Sequence, residues 1–376
     1  MRVLAGVILA LALGGCVDRS FTPTVPKALE IGTPYTVYAA TTRAREANGA
    51  YGFRRSDRMQ LLELTVSIPP GHRPGTIEFA YANPKPDSQF TIARRAQFPE
   101  TGDFLTRLRQ QLRAQPPGQR DVTVFVHGYN ATQAETAMRA AQLAHDIDLP
   151  GALVIYSWPS RGHIAGYAYD NDSVLFARDG LEQLLDALQG VGAENVLLVA
   201  HSMGSLLTME TLRQADIRRP GWAARTLDAV LFISPDLDVE VFRSQMRSLS
   251  PPPDPFFVMV SEKDKVLNLS ARLRGTADRE RLGNLRHIGK IADLPVEVID
   301  ATAFTGDAES SHFVAATSPA LLAILRDARS TTRTFGSEKL AIEEVLPARI
   351  EIRRTEKATD IVLLPPDQTP GQQVAE

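Results

Sequence analysis

One cysteine among 376 residues excludes an intramolecular disulfide framework. The charges nearly cancel, with 41 Lys+Arg against 44 Asp+Glu, so no basic footprint for nucleic acid exists. No His-x-His or His-Glu-x-x-His spacing occurs, and neither a metal nor another cofactor is expected. The opening apolar run, Val3 to Gly15, falls short of the roughly 20 residues needed to span a bilayer. No internal repeat is evident. What is abundant is ordinary: 44% hydrophobic and 23% charged residues exclude wholesale disorder. At roughly 150 residues per domain the length suggests two domains, although large α/β enzymes often use it as one.

The cysteine's position is informative. Met1-Arg2 precedes the apolar run, which ends Leu13-Gly14-Gly15-Cys16. A basic start, a short apolar stretch and a small-residue exit describe a secretory signal peptide. The exit resembles the lipobox of bacterial lipoproteins, which implies cleavage before Cys16 and acylation of that residue. Val17, in place of Asp, then favours the outer membrane of a bacterial envelope. The expected organisation is a signal peptide at 1–15, a tether at 16–34, a catalytic domain at 35–328 and a polar C-terminal extension at 329–376.

From Thr36 to about Phe98 the pattern is β-like, in runs at Thr36–Ala39, Leu61–Ile68 and Thr76–Phe79. The rhythm then changes to strand–helix alternation, the signature of a mostly parallel sheet covered by helices on both faces. Strands are expected at Val122–Val126, Ala152–Tyr156, Asn195–Ala200, Ala229–Ile233, Phe256–Val260 and Val296–Ile299, each rich in Val, Ile, Leu and Phe as doubly buried strands are. A short helix is expected at Phe104–Leu112. Thr132-Gln133-Ala134-Glu135 is a capping box opening another. The tail offers one hairpin, at Ala348–Ile352 and Asp360–Leu364.

The strand Asn195–Ala200 runs into His201-Ser202-Met203-Gly204-Ser205 and a helix. A serine on the sharp turn between strand and helix is a nucleophile elbow, whose strained backbone needs small neighbours two positions away. Gly204 meets that need, and Ala200 adds one methyl where glycine is usual. A catalytic serine needs a base, and the base an orienting acid. Of seven histidines only His287 and His312 follow Ser202. His312 follows the last strand, before the final helix, whereas His287 sits in a basic, Gly-flanked stretch. For the acid, Asp264 follows the strand Phe256–Val260, with Asp236 and Asp238, after the preceding strand, as rivals. An oxyanion hole needs two backbone N–H groups. Met203 offers one, and the turn His127-Gly128-Tyr129-Asn130 the other, from Tyr129 or Asn130. His127 precedes Ser202 and is expected to shape this loop.

With these residues assembled, the chain resembles the α/β-hydrolase superfamily. More narrowly, it is similar to a bacterial family described as esterase/lipase-superfamily enzymes. The matching stretches include Tyr38-Ala-Ala-Thr-Thr-Arg43, Val66-Ser-Ile-Pro69, Val124-Phe-Val-His-Gly-Tyr-Asn130, Tyr156-Ser-Trp-Pro-Ser160, Ala200-His-Ser-Met-Gly204, Ser234-Pro-Asp-Leu-Asp238 and Ser311-His-Phe313. The resemblance implies an α/β-hydrolase fold with a β-rich N-terminal part. It also implies Ser202 as nucleophile, His312 as base and Asp264 as acid; because no stretch reads as a long hydrophobic lid, a small-molecule ester or thioester is the expected substrate rather than a triglyceride.

The segment from Trp158 to Asp172 follows a strand at its carboxyl end, where such sheets bind ligands. Trp158, Tyr167 and Tyr169 are expected to line a substrate pocket, against the alternative of an aromatic loop packed on its own scaffold. Two other readings stand beside the esterase: a non-catalytic envelope scaffold on a hydrolase fold, and a peptidase or amidase with the same triad.

Overall fold

A computed structural model describes residues 19, 21–275, 280–305, 312–326 and 349–364. Eleven strands form one sheet in the order β10-β11-β9-β8-β7-β6-β4-β5-β1-β2-β3. Its centre is β4 (Val122–Val126), β5 (Ala152–Ser157), β6 (Val196–His201), β7 (Ala229–Ile233), β8 (Phe256–Val260) and β9 (Glu297–Asp300), all parallel. One edge is antiparallel, made of β1 (Thr33–Arg45), β2 (Tyr51–Ile68) and β3 (Thr91–Phe98), with β1 lying parallel to β5. The hairpin β10 (Arg349–Arg354) and β11 (Thr359–Leu364) closes the other edge, β11 running parallel to β9.

Alternation along each strand divides the core into two layers. Val122, Val124 and Val126 face α1 (Thr101–Arg113), α3 (Tyr167–Leu188) and α4 (Met203–Arg218), while Phe125 faces the alanine-rich α2 (Gln133–Asp146). The Thr132 hydroxyl accepts from Glu135 N–H and the Glu135 carboxylate from Thr132 N–H, so the capping box that opens α2 is formed. Near the C-terminal end, Val314, Ala315 and Leu321 pack over Ile233, Met259 and Ile299 on the α2 side of the sheet.

Three local expectations change. Thr76–Phe79 forms no ladder; Phe79 makes one isolated bridge to Phe90, and the third edge strand is β3 instead. The prolines at 74, 84 and 86 break the ladder on either side of 76–79, and the Arg94-Arg95 pair gives β3 no apolar alternation. The stretch 158–172 is half helix, because α3 starts at Tyr167. Residues 21–34 lie against the domain: Thr22 and Ala28 are buried and Val25 N–H donates to Ile92 O. Cys16 and the 1–15 segment lie outside the described residues.

Leaving β4, the chain goes to β5 on one side and then crosses to β6 on the other. The crevice between the carboxyl ends of β4 and β6 is the topological switch point, where open α/β sheets place ligands.

Candidate active site

Ser202 stands at this switch point, between the last residue of β6 and the first of α4, with φ 53° and ψ −122°. A non-glycine residue at positive φ is costly unless its surroundings enforce it. Here Ser202 N–H donates to Ile233 O at 3.0 Å and Ser202 O accepts from Asp236 N–H at 3.1 Å, clamping the turn. A Cβ at Gly204 would lie 2.5 Å from His127 O and 2.6 Å from Val126 O, so this position must be glycine. Ala200 is buried in the core and its methyl is accommodated there.

His312 Nε2 lies 2.9 Å from Ser202 Oγ, and its Nδ1 lies 2.7 Å from Asp264 Oδ2. Asp264 is completely buried and caps α7 (Lys265–Leu273), its Oδ1 accepting from Val266 and Leu267 N–H at 3.0 and 3.1 Å. One carboxylate oxygen thus anchors a helix and leaves the other to orient the imidazole. The rivals are engaged elsewhere. Asp238 caps α6 (Val239–Met246), the helix that follows α5 (Trp222–Thr226) and β7. Asp236 accepts from Arg281 Nε at 2.7 Å, Ser270 Oγ at 2.6 Å and Tyr167 OH at 2.9 Å. Burial alone would raise the Asp236 carboxyl, but Arg281 and the hydroxyls outweigh it and hold the group below the usual carboxylate range. His287 is exposed.

The loop after β4 closes over the serine. A Cβ at Gly128 would lie 2.7 Å from Ser202 Cβ, so glycine lets this backbone approach the nucleophile. Met203 N–H is the first of α4, where no intrahelical carbonyl stands behind it. Asn130, at φ 57°, directs its N–H to Asp170 Oδ2 at 3.4 Å, whereas among the described residues Tyr129 N–H meets no acceptor.

Two buried groups hold this loop: His127, which was expected to shape it, and Arg43, which sequence reasoning did not place. Arg43 is 1% exposed and donates to Gly52 O at 3.0 Å, Ser160 O at 2.9 Å and Ala131 O at 2.7 Å, and to Ser157 Oγ at 2.9 Å. Among the described residues no carboxylate touches it, and burial lowers its pKa to about 10 against the attraction of Asp170 and Glu135. His127 is pushed down to about 3 by burial and by neighbouring Arg43. Its Nδ1 lies 2.8 Å from Gly128 O and its Nε2 3.1 Å from Trp158 O, with Arg43 Nη2 3.4 Å from the same Nε2. The His201 ring stacks on Phe313 at 4.0 Å, and its Nε2 lies 3.3 Å from His312 O, bracing the base from below. The only advance signal for Arg43 was its place in a matching stretch.

The expected aromatic pocket separates into three fates. Trp158 is fully buried, stacks on His127 at 4.9 Å and donates from Nε1 to His127 O at 2.7 Å. It supports the loop and lines no open pocket, which corrects the expectation. Tyr169 packs on the edge hairpin, its OH donating to Phe53 O at 2.7 Å under the Arg55 guanidinium. This too departs from the expectation, because the helical start at Tyr167 turns Tyr169 away. Tyr167 stays at the site, edge-on to Tyr129 at 5.4 Å. Beside the loop, a cavity of about 160 Å³ is lined by Arg19, Phe79, Tyr129, Arg139, His201 and Phe313, among others. A larger cavity of about 500 Å³ lies on the α2 face of the sheet, lined by Phe125, Val199 and Met259, among others, with Ser202 not part of its wall.

A mostly parallel sheet with helices on both faces, and a serine on the turn after its central strand, defines an α/β-hydrolase. The chain belongs to the family described as alpha/beta hydrolases of unknown function (DUF900), whose model matches residues 101–329. The stretches at Tyr38–Arg43 and Val66–Pro69 precede that match. A comparison with curated proteins finds no match. Among solved structures, a lipase B of Aspergillus fumigatus shares 15% identity at a TM-score of 0.34, over 61% of this chain and 56% of that one. An acylaminoacyl peptidase of Pyrococcus horikoshii shares 13% at 0.37, over 76% and 50%. Fungal esterases of Rhizomucor miehei share 12% at 0.34, over 82% and 85%. The chain thus spans about half the length of the first two, and at these identities the likeness concerns the fold alone. Among the described residues no helix is long and apolar enough to cross a membrane.

Proposed function

We propose that this chain is a serine hydrolase that cleaves carboxylic or thio esters through an acyl-enzyme, tethered to a bacterial envelope by a lipid on Cys16. The observation that carries the reading is the relay from Ser202 Oγ through His312 to Asp264, with contacts of 2.9 and 2.7 Å. Ser202 Oγ attacks the ester carbonyl while His312 Nε2 takes its proton. The tetrahedral oxyanion accepts from Met203 and Tyr129 N–H. Collapse expels the alcohol or thiol, which leaves with the proton returned by His312. Water, deprotonated by the same imidazole, then attacks the acyl-serine and releases the acid. Asp264 holds the ring in the tautomer that presents Nε2 to the serine and stabilises the imidazolium.

Ser202→Ala is expected to remove nearly all hydrolysis of p-nitrophenyl acetate with unchanged melting temperature, and an unaffected rate would refute the assignment. The lipid reading rests on the Leu13–Cys16 exit, and mass spectrometry of the mature N-terminus tests it: an unmodified Cys16 would sink it.

A further inference from the structure

The first described residue makes contacts that a free tether would not. Arg19 Nε and Nη2 donate to the two Glu135 carboxylate oxygens at 2.8 Å each. Its Nη1 donates to Asn130 Oδ1 at 3.0 Å and Gly162 O at 3.2 Å, and its Nη2 to Asn130 O at 3.2 Å. Asn130 directly follows Tyr129, and Arg19 is a wall of the cavity that reaches Gly128 and His201. Arg19 is therefore fastened to the rim of the catalytic mouth.

Chain geometry turns this contact into an orientation. Cys16 and Arg19 are three positions apart in the chain, so their Cα atoms lie at most about 11 Å apart whatever path is taken. A tether free from 16 to 34 would reach about 60 Å and let any face of the domain meet the membrane. The surface around the mouth suits an interface. Ile164, 74% exposed, sits on the turn whose carbonyl accepts from Tyr129 OH. Val266 and Leu269 are exposed on α7, the helix capped by Asp264, and Ser270 Oγ of the same helix lies 2.7 Å from Tyr167 OH. Arg161, Lys263 and Lys265 are exposed among them, beside Glu262. Apolar side chains within a mostly basic rim are what an anionic headgroup layer binds.

We propose that Arg19 docks the lipidated N-terminus beside the oxyanion loop so that the catalytic mouth faces the membrane, and that the substrates are membrane-borne esters. These are amphiphiles whose chains stay in the bilayer while the ester is presented at its surface. The inference rests on the ester-hydrolysis and lipidation reading given above.

The test uses the acylated full-length protein in vesicles containing phosphatidylglycerol. Its comparator carries a spacer of about 20 Gly/Ser residues between Val17 and Asp18, with a root-mean-square reach of roughly 25 Å. Both forms are expected to hydrolyse soluble p-nitrophenyl acetate equally. On a long-chain ester embedded in the vesicles the parent is expected to be faster by about tenfold, as effective concentration falls with tether length. Equal rates on the embedded ester would overturn the orientation, whereas no turnover of either ester would overturn the esterase reading instead. A second measurement is independent of activity. With Cys16 acylated, Ile164→Cys and Ala114→Cys each supply one thiol for a fluorophore, at the mouth and at the opposite end of the sheet. Quenching by brominated lipid is expected at 164 and absent at 114; equal quenching, or quenching at 114 alone, would overturn the proposal.

Discussion

Asp264→Asn separates two jobs that one carboxylate performs. Oδ1 caps α7 through Val266 and Leu267 N–H, while Oδ2 faces His312 Nδ1 at 2.7 Å. Asparagine caps a helix about as well as aspartate, so the cap survives and the fold should lose no more than about 1 kcal/mol, the charge–dipole share. The amide nitrogen then faces Nδ1 and favours the tautomer with its proton on Nε2, which cannot accept from Ser202. Such a change lowers kcat by about 10⁴ in the serine-protease precedent, equivalent to about 5.5 kcal/mol of barrier at 1.36 kcal/mol per decade. Asp264→Ala should lose the same activity and also about 1 kcal/mol of cap. The rival behaves oppositely: Asp236→Ala strands Arg281, whose side chain is 3% exposed, and should cost about 3–5 kcal/mol of stability. The assay is kcat on p-nitrophenyl acetate beside urea unfolding for all three variants. An Asp264→Asn enzyme within tenfold of the parent, with normal unfolding, would refute the relay.

Two further outcomes follow from the loop's supports. Arg43→Met leaves the carbonyls of Gly52, Ser160 and Ala131 buried without their donor, so unfolding should shift by about 3 kcal/mol or more, read by urea titration. His127, neutral when folded with a pKa of about 3, binds a proton near pH 6.5 only once unfolded, so its contribution is complete above pH 6.5 and is lost as pH falls towards 3. Stability should therefore drop by about 2 kcal/mol from this group between pH 7 and 5, and His127→Gln should flatten that slope.

The central sheet was legible because strands buried on both faces read as continuous apolar runs, and all six expected runs coincide with β4 to β9 to within one residue at each end. The meeting of Ser202, His312 and Asp264 was legible from chain order and from the positions just after strands. The edge was less so. The polar stretch Arg54–Gln60 hid the outer arm of β2, which is exposed in places and needs no apolar side chains. Aromatic residues misled, because Trp158 and Tyr169 point into their own scaffold, a direction that only the start of α3 decides. Arg43 and Arg19 were invisible as loop supports, since arginine usually marks solvent and each acts through partners about 90 to 140 positions away in sequence.

Fluorophosphonate labelling of the folded chain reads the activation of Ser202 itself, without a choice of substrate. A single covalent adduct is expected, mapped by mass spectrometry to the peptide carrying Ser202, absent in Ser202→Ala and strongly slowed in His312→Ala. A folded protein that takes no label, or takes it equally in Ser202→Ala, would contradict the account and leave a hydrolase fold serving as a scaffold.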